Sequence, residues 1–463
     1  MQVSEKRWDK HVAVIGAGPV GCTLAAVLAR RGFAVELFEK RADMRRDEVD
    51  AGRSINLVLT NRGLRALGLL GVRDEVLETL TVPVYGRMMH ATDGALTYQP
   101  YGKDDSECNY SISRGELNKY VITMAEKAGV TLHFEHDLID GAIEDGNLIF
   151  ETPDGQVTRA FDAVFGADGA PSGLRRILVE KHDFEQRIEW LDHGYKEIPF
   201  PAANDGGYAM EKGALHIWPR GHHMLMGLAN MDGSFTGTIY LPNSGEDSFE
   251  QLDTPEEAEA FFNKEYPDTL ELVPGIGEAF LEHPVGTLGT LWCRPWHLGA
   301  RALLVGDAAH AIVPFFGQGC NCGLEDCLVL DELLGEYDDL EEVFAMFDAS
   351  RKPNGDAIAQ MALENFIEMR DRVGDAEFLL RKKVEHRIEV EYPELYRSRY
   401  ATVMYSAIPY KFALDAGEIQ RRILTELTED IDSAEELDME RARQMIEQEL
   451  TPFYQKREID LGF

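Results

Sequence analysis

The stretch His11–Lys40, HVAVIGAGPVGCTLAAVLARRGFAVELFEK, constrains the fold of this chain more than any other. It runs from a short β-branched strand through a glycine turn into an apolar segment of helical period, then into a second short strand. That order is a βαβ unit. Gly16, Gly18 and Gly21 stand in the G-x-G-x-x-G pattern at the strand-to-helix turn, and Glu39 ends the second strand 23 residues beyond Gly16. Gly16 permits the tight turn, Gly18 lets a pyrophosphate approach, Gly21 lets helix and strand pack closely, and Glu39 offers its carboxylate to ribose hydroxyls. The same glycines, with Pro19, interrupt the apolar run Val12–Ala29, which therefore reads as a buried strand and helix and not as a membrane span.

Two further strands end in an acid. FDAVFGADGAPSGLRR (161–176) places Asp168 before Gly169, and LLVGDAAHAIVPFFGQGCNCGLEDC (303–327) places Asp307 after Gly306. A carboxylate at a buried strand end is costly unless something hydrogen-bonds to it, so each asks for a partner rich in hydroxyls or amides. Gly317, Gly319 and Gly323 let backbone approach a flat or phosphorylated ligand, and the segment beyond Gly319 opens a helix whose N-terminus faces it. The three sites converge on one dinucleotide. No second G-x-G-x-x-G occurs, so no separate nicotinamide-nucleotide domain is expected.

At 463 residues the chain exceeds what one core usually supports. Residues 207–242 alternate apolar and polar, with Gly, Asn and Asp at the breaks, which predicts an antiparallel sheet inserted as a second lobe. Beyond about residue 355 the pattern is helical. The expected division is a nucleotide domain over 1–180 and 286–375, an inserted sheet domain over 181–285 with strands from about 76–103, and a helical region over 376–463. The 46 basic residues against 82 acidic ones give a net charge of −36, which repels nucleic acid and anionic membranes. Part of that acid lies in Glu426–Leu450, expected as an exposed, solvated helix. The six cysteines, 22, 108, 293, 320, 322 and 327, read as reduced, small, buried side chains, and no metal is called for. His222 and His223, as neighbours on a strand, would point to opposite faces and hold none. MQVSEKRWDK at the N-terminus lacks the apolar core of a signal peptide, so a cytoplasmic protein is expected.

The fingerprint, the ADG segment, the VGDAAH segment and the single nucleotide fold together resemble the single-component FAD-dependent aromatic monooxygenases, the p-hydroxybenzoate hydroxylase class. GRSINLVLTNRG from Gly52, GRMMH from Gly86, QPYG from Gln99, SISRGELNK from Ser111, LHIWPRG from Leu215, VPFFGQG from Val313 and NFIEMRDRV from Asn365 are similar to the branch of that class acting on kynurenine. The likeness spans about residues 10–410; where eukaryotic members carry a hydrophobic membrane segment, this chain has its acidic tail.

The resemblance implies an α/β fold: a Rossmann-like FAD-binding domain with an inserted antiparallel-sheet substrate domain and a C-terminal helical region. It implies FAD contacts at Val20, Arg41, Arg53, Arg114, Leu138 and Asp168, with Asp307 on the ribityl chain and the amides of Cys320 and Asn321 at the pyrimidine edge of the ring. Pro314, Phe315 and Phe316 would wall the space above it. Where the class usually has Met and Ala, this chain has Cys320 and Cys322. Implied substrate contacts are Arg87, Tyr101, Asn365 and Tyr400, with Tyr396 or Tyr405 as alternatives to the last. No side chain acts as catalyst, because the flavin carries the chemistry. NADPH would reduce FAD, O2 would form a C4a-hydroperoxide, and oxygen would pass to ring position 3 of L-kynurenine, serving tryptophan degradation and NAD precursor supply. Two alternatives stand beside this: a related hydroxylase acting on another phenol or aminobenzoate-like acid, and a non-catalytic flavin protein that signals redox state. The oligomeric state is left open, a dimer included.

Overall fold

The structure is a computed structural model, and it describes residues 8–46, 56–369 and 376–457. The chain divides into two compact units. The first comprises residues 1–81, 112–191 and 288–359, the second 82–111, 192–287 and 360–463.

The first unit is built on a six-stranded sheet. Across it run His297–Leu298, Ala302–Leu304, Ala163–Gly166, His11–Ile15, Ala34–Phe38 and Thr131–His133, all parallel except the antiparallel edge pair His297–Leu298 with Ala302–Leu304. Val12 to Ile15 and Ala163 to Gly166 are buried without a break, the signature of a parallel sheet covered on both faces. The helix Pro19–Arg30 buries nine residues, from Pro19 to Leu28, and closes the βαβ unit. A small antiparallel meander, Asp137–Ala142, Asn147–Thr152 and Gly155–Ala160, completes the strands of this unit that bear on the site.

A seven-stranded sheet, whose five strands from Phe235–Pro242 onward belong to the second unit, has the order Gly286–Arg294, Glu185–Phe200, Phe235–Pro242, Met224–Ala229, Ala214–Pro219, Gly86–His90 and Leu96–Pro100. Most pairs are antiparallel; Ala214–Pro219 runs parallel to Gly86–His90. One face packs Trp218, Phe235 and Ile239 against Phe262, Tyr266 and Phe280 from the helices that follow. The first of those, Pro255–Glu265, starts with a capping box in which Thr254 and Glu257 satisfy each other's amides.

The acidic tail departs from the expected solvated helix. The helix Tyr410–Thr428 ends, the chain breaks over 429–438, and a new helix starts at Met439 with Asp438 accepting from Arg441 N at 3.0 Å. Leu427, Leu437, Ala442, Ile446 and Leu450 are buried in a cluster with Val384, Ile388 and Tyr396. The acids occupy one face and the apolar residues the other, so charge density alone misrepresents the segment. Among the described residues no helix is long and apolar enough to cross a membrane.

Candidate active site

In the first unit the glycine turn follows the strand His11–Ile15. Gly16 has φ +100°, and a Cβ there would meet Ala167 O at 2.5 Å; one on Gly21 would meet Gly16 O at 1.9 Å. Gly18 differs, since nothing lies within 4 Å of its missing Cβ. It precedes the helix Pro19–Arg30, which has Pro at its first turn, no acid there and no side-chain cap. A bare helix N-terminus fronted by open backbone is the geometry that takes a pyrophosphate. Val20 sits against the turn at Gly306 and the helix at Gly323, where an added Cβ would meet Val20 Cγ2 at 2.7 Å.

Glu39 is held by the turn itself. Its Oε2 accepts from Ala17 N at 3.0 Å, and its Oε1 accepts from Arg41 N at 3.1 Å and Arg41 Nε at 3.0 Å. A carboxylate offers about four acceptor positions, so capacity for hydroxyls remains. Glu39, Arg41 and Arg114 line one recess with Ala17, Gly18 and Phe134. Asp168 Oδ2 accepts from Gly173 N at 2.7 Å and Leu174 N at 3.2 Å, at the start of the helix Gly173–Lys181. Its Oδ1 is buried and takes no bond from the protein, and burial pushes its carboxyl up despite those amides. Leu138 is buried beside it; a Cβ on Gly173 would meet Leu138 O at 2.8 Å. Arg53 lies outside the described residues.

Asp307 opens the short helix Asp307–His310 after Gly306, which has φ +61°. Its side chain is open to solvent, yet enough protein surrounds it that burial raises its pKa, with His310 and Arg114 opposing. Asp307 Oδ1 lies 3.7 Å from where a Cβ of Gly319 would stand, at the start of the helix Gly319–Glu336. That start has no side-chain cap and no acid. The amides of Gly319, Cys320 and Asn321 precede the bond from Cys322 N to Gln318 O, so they have no carbonyl one turn back. Burial, with Asp307 beside it, pushes the Cys320 thiol up to about 12. The Asn321 side chain is committed elsewhere: Oδ1 accepts from Thr60 N at 2.9 Å, and Nδ2 donates to Val58 O at 2.6 Å and Gly317 O at 2.8 Å. Phe315 and Phe316 are buried and Pro314 half-buried in the turn just before.

Behind this helix start lies a buried ionic network that sequence patterns did not reveal. Asp326 Oδ2 sits 2.6 Å from His310 Nε2 and accepts from Gly306 N at 3.0 Å, while its Oδ1 accepts from Arg351 Nε at 2.7 Å. Arg351 also donates to Glu325 Oε2 at 2.8 Å, and Arg62 donates to Glu325 Oε1. Burial disfavours the charged His310, but its contacts with Cys322 and Asp326 outweigh it and raise its pKa well above the ordinary value. The partners are too far apart in sequence for any local motif to signal them.

In the second unit the strand Gly86–His90 pairs with Leu96–Pro100, with Arg87 opposite Gln99, and Tyr101 N donates to Tyr85 O at 2.9 Å. This register brings the Arg87 guanidinium over the Tyr101 ring, 5.4 Å from its centroid, and 5.7 Å from that of Tyr400. Tyr101 and Tyr400 stack at 5.4 Å with 19° between planes. Burial works against Arg87's charge, yet Tyr101, Tyr400 and Glu368 more than restore it and its pKa is raised. Arg87 Nε is buried and without a partner. Tyr400 and the T-stacked Tyr405 have phenols raised by burial. Tyr396 is elsewhere, fully buried with its hydroxyl 3.2 Å from Glu385. Asn365 is buried and its Nδ2 points at Met369 Sδ, 3.3 Å away. Asn109, which donates to Tyr400 Oη at 3.0 Å, and Glu368 were missed, since neither carries a distinctive spacing.

Comparison with known proteins follows the same lines. The sequence profile of the FAD binding domain family matches residues 9–360. A kynurenine 3-monooxygenase of Myxococcus xanthus is 48% identical over 97% of this chain and 97% of its own. The chain belongs to the kynurenine 3-monooxygenase family. A second member, from Stenotrophomonas maltophilia, is 45% identical over 93% of this chain and 95% of its own. The kynurenine 3-monooxygenase family is thus one of FAD-dependent aromatic hydroxylases, and its fold recurs in distant solved structures. A tetrameric 2-methyl-3-hydroxypyridine-5-carboxylic acid oxygenase aligns with TM-score 0.66 at 20% identity, covering 80% of this chain and 95% of its own. PqsL of P. aeruginosa, in complex with 2-aminobenzoylacetate, aligns with TM-score 0.64 at 20% identity, covering 79% and 98%.

Proposed function

We propose that this chain hydroxylates L-kynurenine at ring position 3 to give 3-hydroxykynurenine, with FAD resident and NADPH and O2 as co-substrates. The observation that carries the choice of substrate is Arg87, a cation walled by Tyr101 and Tyr400 with its buried Nε unpartnered. A buried donor left unsatisfied is costly, and the carboxylate of an amino-acid substrate relieves it. The names of the relatives at 43–48% identity support the same substrate.

The first unit would hold FAD. The start of the helix Pro19–Arg30 with Gly16, Gly18 and Gly21 would take the pyrophosphate, and Glu39, Arg41 and Arg114 the adenosine end. Asp168 Oδ1, buried with no protein donor, fits a hydroxyl or amide of the cofactor. Asp307 would hold the ribityl chain, and the amides of Cys320 and Asn321 the edge of the ring. When bound, FAD supplies the passage of electrons from NADPH to oxygen and the activated oxygen atom. The kynurenine ring, an aniline, is already electron-rich, so no strong catalytic base is demanded. The chain's work is placement and exclusion of water. Arg87 grips the carboxylate in two parallel hydrogen bonds, Tyr101 adds a third, Asn109 fixes the phenol of Tyr400, and Asn365 turns from Met369 to the substrate.

The test is turnover with kynurenine, NADPH and 18O2, with mass analysis of the product. Labelled 3-hydroxykynurenine is expected; NADPH oxidation without labelled product, or label entering only other aromatic acids, would refute the proposal. We also propose a cytoplasmic enzyme, in keeping with six cysteines that are all free thiols, four of them buried.

A further inference from the structure

We infer that the second unit carries a divalent transition-metal site of the zinc class, built from His222, His223, Asp247 and Glu265 and separate from the flavin chemistry. On a strand these two histidines would point apart, but they lie in the turn between Ala214–Pro219 and Met224–Ala229. There the chain closes with Arg220 N on His223 O at 3.0 Å, and the two rings meet edge to face at 5.0 Å.

The ligand atoms of His222, His223 and Asp247 lie within 4.8 Å of one another. Zinc with ligands at about 2.0–2.2 Å in a tetrahedron spaces them about 3.3–3.6 Å apart. His222 is exposed and Asp247 half-buried, so rotation of these two closes the gap, while His223 stays fixed. His223 is 2% exposed and its Nδ1 is 2.6 Å from Tyr266 Oη. With Nδ1 occupied by that hydroxyl, Nε2 faces the cluster, the arrangement that orients a metal-binding imidazole. Glu265 Oε2 stands 4.0 Å from His223 Nε2 and offers a fourth ligand.

Asp247 has φ +50°, one of two described non-glycine residues in the left-handed region. Such backbone persists where surrounding structure demands it. The site also already attracts a cation. Lys264 Nζ lies 3.4 Å from both carboxylate oxygens of Asp247 and 2.9 Å from Glu265 Oε1, on a side chain 62% exposed and free to swing away. The neighbouring guanidinium of Arg220 is turned onto the Tyr266 ring, 5.1 Å from its centroid. Two imidazoles with two carboxylates suit Zn2+, Ni2+ or Cu2+ and not the all-oxygen preference of Ca2+ or Mg2+. A bound ion would tie the hairpin turn to the 245–247 loop and the end of the helix Pro255–Glu265.

The experiment uses FAD-loaded enzyme, treated with chelator, dialysed against Zn2+ or Co2+ and analysed for metal per flavin. One equivalent is expected, with tetrahedral Co2+ absorption at wavelengths beyond the flavin bands. His222→Gln and Asp247→Asn, both away from the core, should each weaken retention by at least tenfold with FAD content unchanged. Lys264→Met should strengthen it by removing the competing ammonium. Wild-type enzyme that retains no more metal than the His222→Gln/Asp247→Asn double variant would overturn the site, leaving an ordinary surface ion pair beside two histidines.

Discussion

Replacing Arg87 with Met tests the substrate reading most directly. The methionine keeps the unbranched stem of the side chain as far as the position of Nε and packs well against Tyr101 and Tyr400, since thioethers suit aromatic neighbours. What it removes is the cation and the fork of donors. Charge-assisted hydrogen bonds contribute roughly 1.5–3 kcal/mol each. With water and Tyr101 recovering part of two such bonds, the net loss is about 2–3.5 kcal/mol, or roughly 30- to 300-fold in Kd. Arg87→Lys retains a point charge without the planar fork and should fall between. The assay is titration with kynurenine, followed by the flavin absorbance change, on samples matched for FAD occupancy. Unchanged affinity in a folded, flavin-replete Arg87→Met enzyme would refute the assignment and make Arg87 a brace for the tyrosine stack.

Gly21→Ala should yield protein of low stability and little flavin, because its methyl would meet Gly16 O at 1.9 Å; a fully yellow, wild-type-like variant would contradict the turn geometry. Asn109→Ala removes the donor on Tyr400 Oη, and at about 0.5–1.5 kcal/mol should raise KM for kynurenine about 2- to 12-fold with kcat little changed; a fall in kcat alone would count against a positioning role. His310 has its folded pKa raised, so its pairing with Asp326 stabilises the protein fully below about pH 6.5 and is lost as pH rises through the higher folded value. The melting-temperature gap between wild type and His310→Gln should therefore narrow as pH rises above that point; a gap that widens would reverse the assignment of charge.

Features encoded locally could be read from the chain alone. The turn at Gly16, the helix from Pro19 and the strand ending at Glu39 follow from spacing and period, because each residue's partner lies within the same 30-residue unit. Arg87 and Tyr101 are singled out by resemblance, and the hairpin register brings the two side chains together. Spacing does not separate Tyr400 from Tyr396, since the two tyrosines stand four residues apart in one stretch, and only packing puts Tyr400, on the helix Arg399–Tyr405, against Tyr101 and Tyr396, in the connection before it, against Glu385. Asn321 illustrates a different limit. Its position at a helix start was visible, but its side chain ties to Val58 and Thr60, more than 250 residues away. The expectation that His222 and His223 lie on a strand meets a third limit: the strands stop at Pro219 and resume at Met224, and the alternation rule lapses where the pleat ends.

The sheet of the first unit takes its neighbouring strands from distant parts of the chain: His11–Ile15 pairs with Ala163–Gly166, which pairs with Ala302–Leu304. Arg62 and Arg351 then meet at Glu325. Pairings this remote close late and slowly during folding. During synthesis, a growing chain that has emerged only as far as residue 300 has its glycine turn but neither Asp307 nor the helix that follows it. On the flavin site proposed above, capture of the cofactor waits for translation to pass residue 351, and any C-terminal truncation short of that point should give a polypeptide that neither holds flavin nor folds its first strands stably.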